Sequence, residues 1–226
     1  MNNKLFICSA DKGAKEDTLL FNTKGDDVDV FFKEYNKDSL QKVYNKAIDF
    51  AIKENVDHLV LCHSDIVLEN FDYDKLKYHF NTYDVLGVAG ASQIKVQQPA
   101  LWHLMGGGFG KGNLHGAVAH LNGSQKSMTA FGPYPHQAVI MDGVFLAISR
   151  KVFKKIRFDE TCPAGFHFYD LAYTLDASLA GFKCGVIDAY VTHASPGLRE
   201  FTTDWIEGQR WFLDKYKKYV GKIVQI

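Results

Sequence analysis

The sequence lacks any excess of charge of one sign. Among its 226 residues, 26 are Lys or Arg and 26 are Asp or Glu, so the formal net charge is zero. Proteins that bind nucleic acid or anionic bilayers mainly through charge carry a basic excess. The balance therefore argues against a nucleic-acid partner. With 46% hydrophobic and 23% charged residues, the chain instead has the composition of an ordinary globular domain.

Paired cysteines and long apolar runs are also missing. The four cysteines form no C-x-x-C pair, and no Cys or His pair has the spacing of a structural zinc site. No apolar run approaches the roughly 18 residues of a membrane span, and the N-terminal stretch is too short for a signal peptide. We therefore expect a cytoplasmic protein without a transmembrane segment. The sequence does not indicate its oligomeric state.

Short apolar runs bounded by polar or glycine-containing turns are present along the chain. Each predicts a buried strand. They cover residues 4–8, 58–62, 85–89, 138–149 and 184–192.

Apolar residues at helical spacing mark the segments between these runs. Residues 39–55 predict an amphipathic helix capped by Asp38 or Ser39. Strands that alternate with helices predict an α/β fold with an open, mostly parallel, Rossmann-like sheet flanked by helices. The remaining predicted helices cover residues 74–80, 151–156, 169–180 and 203–220.

Residues 93–137 interrupt this pattern, because they are rich in Gly, Ser, His and Gln and have no sustained period. We interpret them as a long loop, and a loop of this length in a compact domain is usually functional. Its aromatic residues, Trp102 among them, suit contact with the C–H faces of a sugar ring. The segment is thus a candidate lid, and the alternative is a small satellite core. Without a repeat or linker, we predict a single domain over residues 1–226.

Polar residues follow the second predicted strand, where ligands of open α/β sheets bind. The strand leads into His63, Ser64 and Asp65. In extended chain the first and third of these share a face, and loop-borne oxygen ligands suit a hard divalent cation. Alternatively, Asp65 caps a turn.

Three further residues are candidates for the same site. Asp142 interrupts an apolar strand, so it is paired, coordinated or at a functional opening, unless a bulge at Gly143 turns it to solvent. Asp170 begins a predicted helix, where a carboxylate is also favoured by the helix dipole. His193 ends the last predicted strand and is either a metal ligand or a loop residue.

Together these segments resemble the GT-A glycosyltransferases, most closely the inverting family-two-like group that includes the streptomycin-biosynthesis-type glycosyltransferase domain. The resemblance extends from residue 5 to about residue 195. Its motifs here are Tyr44-Asn45, His63-Ser64-Asp65, Asp142-Gly143-Val144-Phe145, Phe166-His167-Phe168-Tyr169-Asp170 with Gly181, and Val191-Thr192-His193.

The resemblance implies a hexosyltransferase-like enzyme that uses a nucleoside-diphosphate sugar donor and a glycan or small-molecule acceptor. Residues 1–90 would form the nucleotide-binding half and residues 91–226 the acceptor-side half. Mn or Mg would be held by Asp65, His193 and His63, with Asn45 and Ser64 beside Asp65 on the cofactor side.

The same resemblance assigns roles to the catalytic and substrate-binding residues. Asp170 would be the general base, and Asp142 would orient the substrate. The expected substrate contacts are Asp142, Gly143, Trp102, His167 and Tyr169.

Two departures from the family pattern keep other functions open. Ala172 stands where a second acidic residue is usual, and Asp176 stands where an Arg is frequent. A non-catalytic module that binds nucleotide sugars or carbohydrates is therefore one alternative. A sugar-phosphate nucleotidyltransferase is another, although the basic glycine-rich loop expected after the first strand is poorly developed in residues 9–13.

Overall fold

The structure is a computed structural model that describes residues 5–14, 29–68, 72–189, 191–195 and 200–225. These ranges contain six α-helices, fifteen strands and a 3-10 turn at Lys217–Tyr219. The helices are α1 (Leu40–Lys53), α2 (Tyr73–Phe80), α3 (Trp102–Met105), α4 (Arg150–Phe153), α5 (Tyr169–Leu179) and α6 (Thr203–Lys215). The strands are β1 (Leu5–Ala10), β2 (Asp29–Lys33), β3 (His58–Cys62), β4 (Ile66–Leu68), β5 (Val85–Gly87), β6 (Ala89–Ala91), β7 (Gln93–Lys95), β8 (Leu114–Asn122), β9 (Gln125–Gly132), β10 (His136–Ala138), β11 (Ile140–Met141), β12 (Phe145–Ser149), β13 (Cys184–Val186), β14 (Val191–His193) and β15 (Ile223–Gln225).

The larger sheet has seven strands in the order β10-β13-β5-β12-β3-β1-β2. β2, β1, β3, β5 and β13 point in one direction, whereas β12 and β10 run antiparallel to them. The predicted α/β class with an open, mostly parallel sheet is confirmed. The carboxyl ends of β1 and β3 lie side by side, so the polar residues that follow them share one edge of the sheet.

The alternation of side chains along β1 explains how helices cover both faces of this sheet. Phe6 and Cys8 pack in one hydrophobic cluster with the apolar face of α1, whereas Leu5 and Ile7 belong to a second cluster that includes residues of α2 and α6. The predicted α1 is confirmed: Ser39 is its N-cap, and its side chain accepts a hydrogen bond from the backbone of Lys42.

The smaller sheet corrects the prediction of a long loop at residues 93–137. It has the order β11-β6-β8-β14-β4, and β9 pairs with β8 as a hairpin. The segment thus contains β7, α3, β8, β9 and β10. The hairpin was missed because β9 is largely exposed and polar and β8 contains small residues and histidines, so neither has a strong apolar alternation.

Three predicted strands are broken in the structure. The run 138–149 is interrupted at Asp142 to Val144, and the run 184–192 divides into β13 of the larger sheet and β14 of the smaller one. The run 85–89 likewise ends at Gly87, and β6 begins a new sheet at Ala89. The last helix ends at Lys215 rather than residue 220, and α4 is a single turn. None of the helices in the described ranges is both long and apolar enough to traverse a bilayer.

Candidate active site

Two clefts meet at the carboxyl edge of the larger sheet. We call them the first cleft, of 340 Å³, and the second cleft, of 810 Å³. His63, Asp65 and Phe166 line both. The first cleft is also lined by Ala89, Ala100, Leu101, Trp102, Val118, His120, Phe131, Asp142, Val144, His167, Phe168, Tyr169, Asp170, Leu171, His193, Ser195 and Trp205. The second is also lined by Ala10, Asp11, Lys12, Asn36, Lys37, Asp38, Ser39, Leu40, Tyr44, Ser64, Gly165, Thr202 and Asp204.

His63, Asp65 and His193 come together where the clefts meet, as the sequence predicted. His63 and Asp65 follow β3, and β14 pairs with β4 so that His193 lies opposite Ile66. His193 Nε2 is 3.2 Å from Asp65 Oδ1 and 3.4 Å from His63 Nδ1, and His63 Nδ1 is 3.9 Å from Asp65 Oδ1. We call these three residues the His-Asp-His cluster.

Tyr169 determines which nitrogen of His63 faces this cluster. The Tyr169 hydroxyl donates to the carbonyl of Gly143 at 3.1 Å and lies 2.9 Å from His63 Nε2. With the hydroxyl proton on the Gly143 carbonyl, Nε2 of His63 carries the hydrogen, and the lone pair of Nδ1 faces the cluster. Burial, followed by the proximity of His193, lowers the pKa of His63 to about 4, so the ring is neutral at physiological pH.

The cluster fits a divalent metal ion. It offers one carboxylate oxygen and two imidazole nitrogens, with all three ligand atoms within 4.8 Å of one another. Neighbouring ligands of one ion at ordinary metal–ligand distances lie about 3 Å apart, close to the separations here. Burial raises the pKa of Asp65, but its interactions with the neighbouring histidines, those with His193 first, outweigh burial, so the pKa is lowered. Asp65 is therefore ionised and His63 neutral, the states that metal binding requires.

Asp142 and Asp170 form a pair of acidic groups in the first cleft, apart from the His-Asp-His cluster. Asp170 Oδ2 accepts the backbone N–H of Gly143 at 2.7 Å. Burial and the negative charge of Asp142 raise the pKa of Asp170 to about 7, against hydrogen bonds from the backbone of Leu171 and Gly143 that lower it. Asp170 keeps partial exposure to the cleft, so a proton can reach it. A carboxylate with a pKa near neutrality is suited to act as a general base.

Two donors fix the carboxylate of Asp142. The indole Nε1–H of Trp102 donates to Oδ2 at 2.9 Å, and the backbone N–H of Val144 donates to Oδ1 at 3.0 Å. The strand break at this point explains how an acidic residue fits an apolar run: Asp142 is paired and faces the cleft. Trp102, for which a substrate contact was expected, lines the first cleft, and its polar atom is used to hold Asp142.

The start of α5 directs Tyr169 and Asp170 into the cleft. Phe168, just before the helix, has a left-handed backbone with φ of 66°, which is unusual for an aromatic residue. Its ring packs on Trp205 and Phe212 of α6, at centroid distances of 5.3 and 5.7 Å. Because Phe168 is at the N-cap position, Asp170 is not the cap; it lies in the first turn and is still favoured by the helix dipole.

The second cleft contains a residue that the sequence reasoning missed. Asp11 follows β1, accepts the backbone N–H of Gly13 at 2.9 Å and accepts a short hydrogen bond from the hydroxyl of Ser64. The prediction placed Ser64 beside Asp65 on the cofactor side, and the structure places it in this cleft. Asp11 could have been identified in the same way as Asp65, because it directly follows a strand at the edge of the sheet where ligands bind. His120 was also missed: β8 pairs with β14 so that it lies opposite His193.

Two of the predicted site residues have other surroundings than expected. Asn45 lines neither cleft; its amide donates to the carbonyl of Phe158 and to Glu160, and its carbonyl accepts the backbone N–H of Phe158. These bonds hold the loop that follows α4, so the expectation of a cofactor contact is corrected. Gly143 likewise lines neither cleft, and its N–H is used by Asp170. By contrast His167 and Tyr169, for which substrate contacts were also expected, line the first cleft.

The two departures from the family pattern lie where α5 packs on α6. Ala172 is buried, and its carbonyl is 3.0 Å from the hydroxyl of Tyr216. Asp176 is 2.8 Å from the same hydroxyl and forms an ion pair with Lys215 at 2.9 Å. Neither residue lines a cleft, so both belong to the packing below the site.

The family of this chain is shown by a family model described as glycosyltransferase like family, which matches residues 16–225. The chain belongs to this glycosyltransferase-like family, and its mixed sheet with flanking helices fits the GT-A fold. The match supports transferase activity and the use of a nucleotide-sugar donor and an acceptor. It does not distinguish the streptomycin-biosynthesis-type subgroup.

The solved structures to which this chain is similar share little sequence with it. A197 from STIV is 15% identical over 85% of this chain and 86% of that chain, with a TM-score of 0.52. A glycosyltransferase involved in the glycosylation of the major capsid of PBCV-1 is 10% identical over 99% and 94%, with a TM-score of 0.34. The inositol-1-phosphate CTP transferase from T. maritima is 13% identical over 92% and 97%, also with a TM-score of 0.34. Among curated proteins, none matches the sequence significantly.

Proposed function

We propose that this protein is a metal-dependent, inverting glycosyltransferase of the streptomycin-biosynthesis-type subgroup, with hexosyltransferase-like activity. It would move a sugar from a nucleoside-diphosphate sugar to a hydroxyl of a glycan or small molecule. The observation that carries the proposal is the position of the His-Asp-His cluster, at the junction of two clefts, with Asp170 in the first. A donor with its nucleotide in one cleft and its sugar in the other has its diphosphate at that junction.

The two clefts differ in the way such a donor requires. Lys12 and Lys37 line the second cleft together with Ser64, beside the carboxylates of Asp11, Asp38 and Asp204. Cations and hydrogen-bonding groups are therefore available to a nucleotide there. The first cleft contains the general-base candidate and aromatic side chains. We therefore assign the nucleotide to the second cleft and the reacting sugar and acceptor to the first.

The cluster would hold Mn²⁺ or Mg²⁺ through Asp65 Oδ1, His193 Nε2 and His63 Nδ1. A divalent ion there supplies charge neutralisation for the departing diphosphate. Mg²⁺ prefers oxygen ligands and tolerates imidazole poorly, so of the two ions we propose Mn²⁺. Tyr169 supports the cluster by fixing the tautomer of His63.

The carboxylates of the first cleft would carry the proton and position the substrate. Asp170 accepts the proton of the acceptor hydroxyl as its oxygen attacks the anomeric carbon from the face opposite the diphosphate, which inverts the configuration. The N–H of Gly143 holds the Asp170 carboxylate in place. Asp142, fixed by Trp102 and Val144, accepts hydrogen bonds from sugar hydroxyls and keeps the ring in line.

We also retain the cytoplasmic location as a proposal. Cys8, Cys62, Cys162 and Cys184 are all buried with free thiols. Burial raises the pKa of Cys8 to about 12, so this thiol is inert. Free cysteines are usual in a reducing compartment.

The test is nucleotide-sugar binding and turnover with and without Mn²⁺. Purified protein is titrated with a panel of nucleotide sugars, and release of nucleoside diphosphate is measured. We expect Asp65→Ala to abolish the metal-dependent part of donor affinity and His193→Ala to weaken it less, because imidazole contributes no charge. The matched control is Asp38→Ala, which removes a carboxylate of the second cleft that pairs with Lys46 outside the cluster.

Three outcomes contradict parts of this proposal. Donor affinity that still rises with Mn²⁺ in Asp65→Ala refutes the metal ligand. Binding without release of nucleoside diphosphate, with every acceptor tested, indicates a binding module. Pyrophosphate release from a nucleoside triphosphate and a sugar phosphate indicates a nucleotidyltransferase.

A further inference from the structure

Away from the His-Asp-His cluster, the first cleft is acidic. Asp142 and Asp170 line this part of it, and among the described residues of its wall there is no Lys or Arg. Lys12 and Lys37 line the second cleft instead. Among the described lining residues, only the second cleft therefore offers a cationic side chain beside its carboxylates, which are Asp11, Asp38, Asp65 and Asp204.

His167, in the first cleft but outside the His-Asp-His cluster, does not restore a positive charge at neutral pH. Burial lowers the pKa of His167 below its ordinary value, although the charge of Asp204 opposes this. The ring is therefore neutral above pH 7 and acts as a hydrogen-bonding group.

Aromatic faces form much of the remaining wall. Trp102 and Phe131 pack edge to face with their centroids 4.8 Å apart, and Phe166 and Trp205 line other parts of the cleft. Such rings pack against the C–H faces of sugars, while fixed carboxylates accept hydrogen bonds from sugar hydroxyls. A carboxylate or phosphate on the sugar would instead face Asp142 or Asp170 in a partly desolvated site, which is strongly unfavourable.

We infer that the sugar bound in the first cleft is neutral, with hydroxyl groups but no carboxylate or phosphate. The inference rests on the proposed function for the presence of a sugar there, and it adds the substrate class. The negative charge of the donor is then confined to its diphosphate, at the junction and in the second cleft.

Matched pairs of donors test this inference. UDP-glucose is compared with UDP-glucuronate, and GDP-mannose with GDP-mannuronate, by titration calorimetry of the full chain with Mn²⁺ at pH 7.5. For the nucleotide that the protein binds, we expect the neutral sugar donor to bind at least about tenfold more tightly than its uronate. The reason is that the uronate carboxylate would lie against an aspartate without a cation to compensate the repulsion. Equal or tighter binding of the uronate overturns the inference.

Variants locate the origin of the selectivity. Asp142→Asn, and separately Asp170→Asn, remove one negative charge each and should reduce the ratio of the two dissociation constants several-fold. Two variants are used because Asn at 142 disturbs the hydrogen bond of Trp102. Asp74→Asn is the matched control, since Asp74 is exposed on α2 and lines neither described cleft, and it should leave the ratio unchanged. An unchanged ratio in both cleft variants also overturns the inference.

Simple glycosides separate this inference from the proposed function. Methyl β-glucoside and methyl β-glucuronide are compared by saturation-transfer NMR with the same protein. If no nucleotide sugar binds but the glucoside binds in preference to the glucuronide, the proposed function is wrong and the selectivity of the first cleft stands. If the glucuronide binds equally well, the selectivity is wrong whatever the nucleotide experiments give. If neither glycosides nor nucleotide sugars bind, both are refuted.

Discussion

The pKa of Asp170 is well above that of a carboxyl group in water. Its pKa of about 7 arises from burial and from Asp142, while the N–H of Gly143 keeps its oxygen in one orientation. We expect Asp170→Asn to lower the rate of transfer roughly 10²-fold or more with donor affinity retained, as loss of a general base does. In the native enzyme kcat/KM should rise with pH through about 7, because the base must be ionised. The variant should lose this dependence.

The stability of the same variant provides the control. The folded state holds this proton more tightly than the unfolded chain, whose pKa is near 3.8, so ionisation of Asp170 costs stability as the pH rises from about 4 to 7. Asp170→Asn should therefore not lower the melting temperature at pH 8. A large fall in melting temperature with little kinetic loss would mean that Asp170 is a structural residue.

Gly143 is required by close packing rather than by substrate. A Cβ at this position would lie 2.4 Å from the Tyr169 hydroxyl oxygen and 2.6 Å from the Cβ of Asp170. We expect Gly143→Ala to displace both side chains, destabilise the protein by about 1–3 kcal/mol and lower kcat. Gly165→Ala is the control, because its nearest atoms would be at 3.9 Å in ordinary contact. Equal chemical-denaturation midpoints and rates for the two variants would contradict this explanation.

At the residue scale, the sequence predicted which side chains come together better than it predicted how side chains pack. His63, Asp65 and His193 could be predicted because each follows an apolar strand at the edge where ligands bind. Asn45 was assigned a cofactor contact because a motif identifies a position and not the direction of its side chain. Its hydrogen bonds to Phe158, more than a hundred residues later, depend on tertiary packing that no local pattern contains.

At the element scale, the glycine-rich turn between α3 and β8 is the candidate lid. Gly107, Gly108, Gly110 and Gly112 have positive φ, and Phe109 is 60% exposed and stacks on Phe131 at 5.6 Å. Since Phe131 lines the first cleft, this stacking joins the turn to the site. We propose that residues 106–112 close over bound substrate.

Hydrogen exchange measured by mass spectrometry tests this closure. Exchange in residues 106–112 should slow when donor and Mn²⁺ are added, while β8 should already be protected in the free protein because it is paired on both sides. The turn at Gly123, which lines neither described cleft, is the internal control. Equal exchange of residues 106–112 in the free and donor-bound protein would refute the lid.

The elements that could be predicted are those with a strong apolar period. Side chains of α1 and of the central strands β1, β3 and β12 are buried in the two hydrophobic clusters. The apolar repeat of each of these elements is therefore nearly uninterrupted in the sequence. The hairpin β8-β9 could not be predicted in this way, since β9 is mostly solvated. The strand break at Asp142 was visible only as a charge in an apolar run, and its cause is the pair of donors from Trp102 and Val144.

At the scale of the whole molecule, the His-Asp-His cluster joins the two sheets. His63 and Asp65 directly follow β3 of the larger sheet, whereas His193 belongs to β14 of the smaller one. One hydrophobic cluster also includes side chains of both sheets. The single-domain organisation over residues 1–226 stays a prediction, but an ion held by the cluster would link the two sheets directly.

This link predicts that Mn²⁺ stabilises the fold. A ligand that binds only the folded state at 100 times its dissociation constant adds about 2.7 kcal/mol, which corresponds to a rise in melting temperature of roughly 5–10 °C for a chain of this size. The rise should be lost in Asp65→Ala and reduced in His193→Ala. His136→Ala is the control, because His136 is exposed on β10 and lines neither described cleft. Measured without nucleotide, this experiment isolates metal binding from donor binding. A rise of equal size in native protein and Asp65→Ala would place the ion elsewhere and remove the cluster from the mechanism.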